Sequence, residues 1–206
     1  MIQELAKVLN KTETIIPTTA RVLAEGFVND PMLAFLFPDF HTRVEALTNW
    51  FQLFVKDGCN RGTVTLAPAD QGAIIWYPAD VSIFDHNFDQ LLSEVAIIVE
   101  KFGGLEAVSR FQQLGETIVS AEPDLPHCEV FWLALLPKSR GQGLGGNLLQ
   151  PVLQSADSHQ VGCYLVASHP RSISFYEKHG FRQLLPLPIG DQLLLTAMWR
   201  DAQTSL

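Results

Sequence analysis

The stretch best suited by residue type and spacing to do chemistry is RGQGLGG at 140–146, where Arg140 precedes Gly141, Gly143, Gly145 and Gly146. Four glycines in six residues remove the Cβ atoms that would hold an anion away from main-chain N–H groups. An apolar run, Val130 to Leu136, leads into the turn and a helical pattern follows it. The N–H groups therefore fall at a helix N-terminus, where unpaired donors and the positive end of the dipole favour negative charge. The chemistry this implies is seating the pyrophosphate of a cofactor. Gly141, Gly143 and Gly146 also satisfy the dinucleotide pattern G-x-G-x-x-G. Three features count against that reading: a Pro-Lys-Ser-Arg connection separates strand and glycines, the next strand (CYLVASHP) ends without an acid for a ribose hydroxyl, and only some 60 residues follow. A kinase-like P-loop fits worse still, because no Lys-Ser or Lys-Thr follows the glycines.

The elements that must position this turn can be read from periodicity. His127 to Leu136 is a nearly continuous apolar strand of the kind covered on both faces. The helix after the glycines carries Leu144, Leu148, Leu149, Val152, Leu153 and Ala156 on one face, and Pro151 inside it predicts a bend, not a stop. A strand at 162–167, a short helix at 171–178 ended by Gly180, and strands at 181–185 and 192–199 complete the chain. Upstream, Thr14 to Ile16 reads as a short strand ending at Pro17, followed by a helix with Val22, Leu23 and Phe27 on one side. Asp30 is an N-cap with Pro31 at the first helical position. The aromatic-rich segment around it, 29–40, either lines an acceptor pocket or plugs the core. Val44, Leu47, Phe51, Phe54 and Val55 mark an amphipathic helix over 41–58, and 62–66 with 72–77 form a hairpin. Residues 81–123 are helical, with caps at Asp85 and Asn87 and a break at Gly103 and Gly104. This helical block interrupts the strand series, as an inserted cover over a binding site or as a packing element.

With 206 residues, 47% hydrophobic and 17% charged, the chain has material for one sizeable core and is expected to be a single domain spanning 1–206 with a helical insertion at about 81–123. No apolar run approaches the ~20 residues that span a bilayer, and the N-terminus lacks the regions of a signal peptide, so a cytoplasmic protein with no membrane partner is expected. A formal charge of −8 argues against nucleic acid as a partner and suits a cationic small molecule. Cys59, Cys128 and Cys163 read as buried free thiols, and no His, Cys and acid cluster indicates a metal.

Two segments carry a family resemblance. LLPKSRGQGLGGNLL resembles motif A of the GNAT superfamily of N-acetyltransferases, whose [RQ]-x-x-G-x-[GA] signature is matched by Arg140, Gly143 and Gly145. HPRSISFYEKHGF at 169–181 resembles that superfamily's motif B, a helix carrying a tyrosine. NDPMLAFLFPD, AIIWYPA and PHCEVFWLALLP are similar to segments of its puromycin-acetyltransferase-like branch. The resemblance implies a mixed α/β (α+β) fold: a mostly antiparallel sheet of about seven strands, splayed beside the RGQGLGG turn and flanked by helices. It implies acetyl-CoA (coenzyme A) as cofactor. The pyrophosphate would lie on the turn formed by Arg140, Gly141, Gln142, Gly143, Leu144, Gly145 and Gly146, and the pantetheine arm along Leu133, Leu135 and Leu136 as an added strand would lie. Ser172 stands where relatives often carry an Asn that contacts the cofactor, which implies a shorter contact or none.

The implied activity is direct acetyl transfer, through a tetrahedral intermediate, to the primary amine of a small molecule, by a monomer or homodimer. A noncatalytic acyl-CoA-binding module and a peptide N-terminal acetyltransferase are the alternatives. Tyr176 of motif B becomes the acid that protonates the departing thiolate, since a phenol of pKa near ~10 stays protonated at neutral pH. A backbone N–H near Leu135 would stabilise the oxyanion. An alkylammonium of pKa about 10 is neutral in only about one part in a thousand at pH 7, so a base or a water relay is needed unless the substrate amine is unusually acidic. Glu129 and His127, two apart on one face of the central strand, are the candidates. His169 and His179 read as cap and turn residues. The acceptor pocket is expected to be apolar and aromatic, built from the 30–40 segment and the 81–123 helices.

Overall fold

The computed structural model describes residues 2–203, with side chains from Thr14 onward. In chain order the elements are α1 (Ile2–Phe27), α2 (Pro31–Leu36), α3 (Phe40–Arg61), β1 (Thr63–Leu66), β2 (Gly72–Tyr77), α4 (His86–Ser120), β3 (His127–Leu135), α5 (Leu144–His159), β4 (Gly162–Ala167), α6 (Pro170–Glu177), β5 (Arg182–Ile189) and β6 (Leu193–Arg200). Side-chain caps fix several helix starts. The Asp30 carboxylate accepts from the N–H groups of Met32 and Leu33 ahead of Pro31, and Asp85 accepts from Phe88 at the start of α4. Gly104, at φ 76°, breaks the helical geometry inside α4 where the sequence places the break. α5 runs through Pro151 without terminating.

The strands form one sheet in the order β1-β2-β3-β4-β6-β5, antiparallel at every pairing except β3 with β4. Among the described residues it has six strands, not the seven expected. The missing one is Thr14 to Ile16, which lies inside α1 with Pro17 also within the helix. Proline in a helix interior is unfavourable by roughly 3 kcal/mol, and Thr-Ile-Ile prefers strand. Tertiary burial outweighs both: Ala20, Val22, Leu23 and Ala24 are fully buried where α1 packs on α3 and β3. The approach is close enough that a Cβ on Gly26 would lie 2.7 Å from Ala134 Cβ.

Two irregularities of β3 shape the sheet around the glycine turn. The β3–β4 ladder holds only His127 to Glu129 against Gly162 to Tyr164, so from Val130 to Leu135 the edge facing β4 has no strand partner. The sheet is splayed there, beside the turn. The β2–β3 register also shifts between Ile75 and Trp76, leaving Phe131 as a bulge. Phe131 and Trp132 consequently both pack with α1 to α4, together with Ala134, whereas Cys128, Val130, Leu133 and Leu135 face α5 and α6. Each face of the sheet thus has its own core. No helix among the described residues is long and apolar enough to cross a membrane.

Candidate active site

The splay opens a cleft of about 530 Å³ lined by Leu133, Ala134 and Leu135 of β3, by Arg140, Gly141, Gly143, Gly145 and Gly146 of the turn, and by Ser172, Phe175 and Tyr176 of α6. The glycines divide into two pairs. Gly141 and Gly143 both hold φ 79°, a left-handed conformation, and a Cβ on either would meet no protein atom within 4 Å. These two shape the turn and leave open space over it. Gly145 and Gly146 instead permit close packing, because a Cβ would sit 3.2 Å from the Phe175 ring and 3.0 Å from His179 Nε2. No side chain caps α5 at Gly143, so the first-turn N–H groups face the cleft without a capping side chain.

Arg140 clips the cleft together, its Nε donating to Leu135 O at 3.3 Å and its Nη2 to Gly26 O at 3.0 Å. Leu136, Gln142 and Leu144 lie off the wall. Leu136 is buried in the core on the α1–α4 side with its N–H bonded to Gln71 O, and the Gln142 amide donates to Lys138 O. His169 N-caps α6, its Nδ1 accepting from the Arg171 N–H at 3.0 Å, and His179 Nδ1 lies 2.8 Å from Phe175 O. Both also line the cleft. Asn29 and Asp30 do too, which their sequence did not reveal: Asp30 reads as a cap, and its second partner, the Ser168 hydroxyl, is distant in the chain. Burial raises the Asp30 pKa above the usual carboxylate range despite that hydrogen bond.

Beyond Tyr176 the cleft meets a smaller chamber of about 130 Å³, lined by Trp50 and Phe54 of α3, Phe88, Phe111 and Ile118 of α4, Phe131 and Trp132 of the bulge, and Glu129. Phe27, Leu133, Ser172 and Tyr176 line both spaces. Residues 81–123 contribute as expected, but of the 30–40 segment only Met32 reaches the chamber. Leu33, Leu36 and Phe37 are buried core residues.

Tyr176 is 7% exposed and held edge-on between the Phe175 and Phe181 rings, at 5.1 and 5.5 Å. Burial, with a smaller effect from Cys163, pushes its pKa up, so the phenol keeps its proton. Glu129 is 4% exposed, and its Oε2 has no hydrogen-bond partner. Burial, then the negative charge of Glu122, pushes its pKa up to about 8. It is the only charged side chain on the chamber wall among the described residues. His127 does not reach the chamber. It lies on an outer groove of about 330 Å³ that Glu129 also lines.

Residues 95–183 match the acetyltransferase (GNAT) domain family. The fold is similar to that of a histone acetyltransferase HPA2-related acetyltransferase from Corynebacterium glutamicum (23% identity, 93% of this chain and 94% of that one, TM-score 0.66). It is also similar to a Drosophila melanogaster polyamine N-acetyltransferase (17%, 93% and 95%, TM-score 0.57) and an agmatine N-acetyltransferase (17%, 94% and 95%, TM-score 0.58). The match over residues 95–183 spans the splayed strand, the glycine turn and α6, and the similar structures share the surrounding fold, so the chain has the fold of GNAT acetyltransferases and carries a match to their domain.

Proposed function

We propose that the chain transfers an acetyl group from acetyl-CoA to the primary amine of a small molecule with an apolar, aromatic-sized body. The observation that carries this is the meeting of two spaces at Tyr176: an anion-friendly cleft with an open strand edge, and an aromatic chamber whose single charge is the Glu129 carboxyl. The cleft fits the cofactor. The left-handed glycines leave room for a pyrophosphate against the first-turn N–H groups of α5, Arg140 holds that corner of the cleft together, and the free edge of β3 offers backbone groups to an extended amide-bearing arm. When bound, acetyl-CoA supplies an activated acyl group on sulfur.

The protein's own groups do the rest. Glu129 in its carboxylate form draws the ammonium to the chamber floor and removes a proton, freeing the nitrogen lone pair. The α4 helices and the Phe131–Trp132 bulge exclude water and hold the apolar body. A β3 backbone N–H on the unpaired edge near Leu135 stabilises charge developing on the acyl oxygen. Tyr176 donates its proton to the departing sulfur and regains one from the second proton that the attacking nitrogen sheds as the tetrahedral intermediate collapses, so that one net proton, the one on Glu129, remains to be released.

The chamber's single charge separates the chain from a polyamine enzyme. A second cationic centre would find no further carboxylate among the described residues lining the chamber and would be desolvated among rings without a partner. In a thiol-release assay with acetyl-CoA, 2-phenylethylamine-type monoamines are expected to turn over at least ten times faster, by kcat/KM, than spermidine or agmatine, a difference of about 1.4 kcal/mol. The reverse order would overturn the substrate class. No turnover with any amine would overturn the activity.

A further inference from the structure

Converting an ammonium and a thioester into an amide and a thiol releases one net proton, and in a closed aromatic chamber that proton has to leave by some route. We propose that Glu122 and His127 are that route, carrying to the outer groove the proton that Glu129 takes from the acceptor.

Glu129 lies between the two spaces, lining the chamber on one side and the groove on the other. On the groove side, one ligand atom each from Glu122, His127 and Glu129 lie within 4.8 Å of one another. Exposure is graded outward: Glu129 is 4% exposed and the Glu122 side chain 29%. His127 is oriented for the task. Its Nδ1 lies 2.7 Å from Leu125 O, a pure acceptor, so Nδ1 carries the hydrogen and the Nε2 lone pair is free. Nε2 is 3.9 Å from Glu122 Oε1. The ring is braced edge-on against Tyr164 and Trp199.

The other groups facing Glu129 are poor exits. In the strand register its neighbours are Tyr77 on β2 and Tyr164 on β4. The first hydroxyl donates to Asp57 and the second to Ala121 O, and burial pushes both pKa values up, so neither phenol gives up its proton. Burial, then Asp124, raises the Glu122 pKa, and burial lowers that of His127, keeping the imidazole neutral and able to accept.

The proposal rests on Glu129 being the base. The ammonium N–H bond breaks and an O–H bond forms on Glu129. That O–H then breaks as the proton passes, through one water or after a side-chain rotation, to the Glu122 carboxylate or His127 Nε2. Water in the groove takes it next, and Glu129 returns to carboxylate for the following turnover. The groove has volume for such water and polar groups to hold it.

The test is steady-state acetyl transfer to the fastest acceptor of the amine screen, with kcat measured against pH for Glu122→Gln, His127→Gln and the double variant. A relay predicts that the high-pH plateau falls, on the order of tenfold in the double variant, with a larger solvent deuterium effect and recovery on adding imidazole buffer. Should Glu122 act only through its charge, the plateau stays and the ascending limb moves to lower pH, and the relay is overturned. Coenzyme A heat-shifts equal to the parent's confirm folding. Glu122→Gln alone, at a partly exposed site, carries the test if the double variant does not fold. Glu129→Gln separates the two ideas: if it remains active, the base assignment and the relay both fall, whereas if it is dead while the Glu122 and His127 variants match the parent, only the relay falls.

Discussion

At the scale of single residues, the proposed chemistry rests on two groups that burial moves in the same direction with opposite consequences. Tyr176 is pushed away from ionisation, which keeps an acid protonated. Glu129 is pushed to about 8, which leaves it a minority carboxylate in the free protein at pH 7. The kcat/KM profile should therefore rise with pH to a plateau above about 8, the limb belonging to Glu129. A limb in the ordinary carboxylate range near 4.5 would disprove the base assignment. The same shift has a stability consequence. A carboxyl with folded pKa above its unfolded value contributes stability that is fully present below about 4.5 and lost as pH rises through about 8. Glu129→Gln should accordingly abolish most turnover yet raise Tm at pH 9 by ~3 °C or more, about 1 kcal/mol in a chain of this length, and by less at pH 5. Tyr176→Phe should slow thiol release on the order of a hundredfold while leaving the coenzyme A heat-shift unchanged. Both residues were candidates in the sequence, Tyr176 through its motif and Glu129 through its place on the strand, and the structure places both on the wall of the same chamber. Their burial was not legible in the sequence, because it depends on elements that the fold brings together: the core between β3, β4 and α5 for Tyr176, and the flanking strands β2 and β4 for Glu129. Glu122 was invisible for the same reason: in the connector SAEPDLPH it reads as one more polar loop residue.

At the scale of elements, the turn and α6 are one device, and the glycines show how. Gly145 and Gly146 let α5 approach Phe175 and His179, so the helix proposed to seat the cofactor also sets the position of the helix carrying Tyr176. Two alanine substitutions should therefore act differently. Gly143→Ala forces a side chain to φ 79°, a strain of roughly 1–2 kcal/mol at the seat itself, and should raise the acetyl-CoA KM some tenfold with little change in kcat. Gly145→Ala pushes Phe175, 3.2 Å away, and with it the Tyr176 ring, so it should lower kcat more than it raises KM. Equal effects of the two on KM and kcat would refute the division. The order of elements from β1 to β6 could be read from periodicity, caps and glycine breaks because those signals are local. The helical state of Thr14 to Ile16 and the Phe131 bulge could not, since both are decided by what packs against them: α3 and β3 for the first, the β2 register for the second.

At the scale of the whole molecule, the sheet is two half-sheets joined by a short seam. β1 to β3 form one and β4 to β6 the other, and the strand bonding between them is limited to three register pairs, His127 to Glu129 against Gly162 to Tyr164. Below the seam the halves diverge, and the cleft proposed for the cofactor occupies the divergence. Other ties across the molecule, such as the Asp157 carboxylate accepting from Arg200 at 2.8 and 2.9 Å, connect α5 to β6 and leave the wedge open. A ligand lying along the free edge of β3 and against α6 thus supplies contacts between halves that the chain itself does not make there. Coenzyme A at a hundred times its Kd should add about 2.7 kcal/mol, or ~5–11 °C in Tm for a chain of this size. More diagnostic is where the gain appears. Hydrogen exchange should slow most at the N–H groups of Val130 to Leu135 that point to the unpaired edge, at the 141–145 turn and at the start of α6, and least in β1, whose one strand partner among the described residues is β2. Uniform protection across all six strands, with no excess at the free edge of β3, would mean that the ligand stabilises the fold without bridging its halves, and the wedge reading would have to be abandoned.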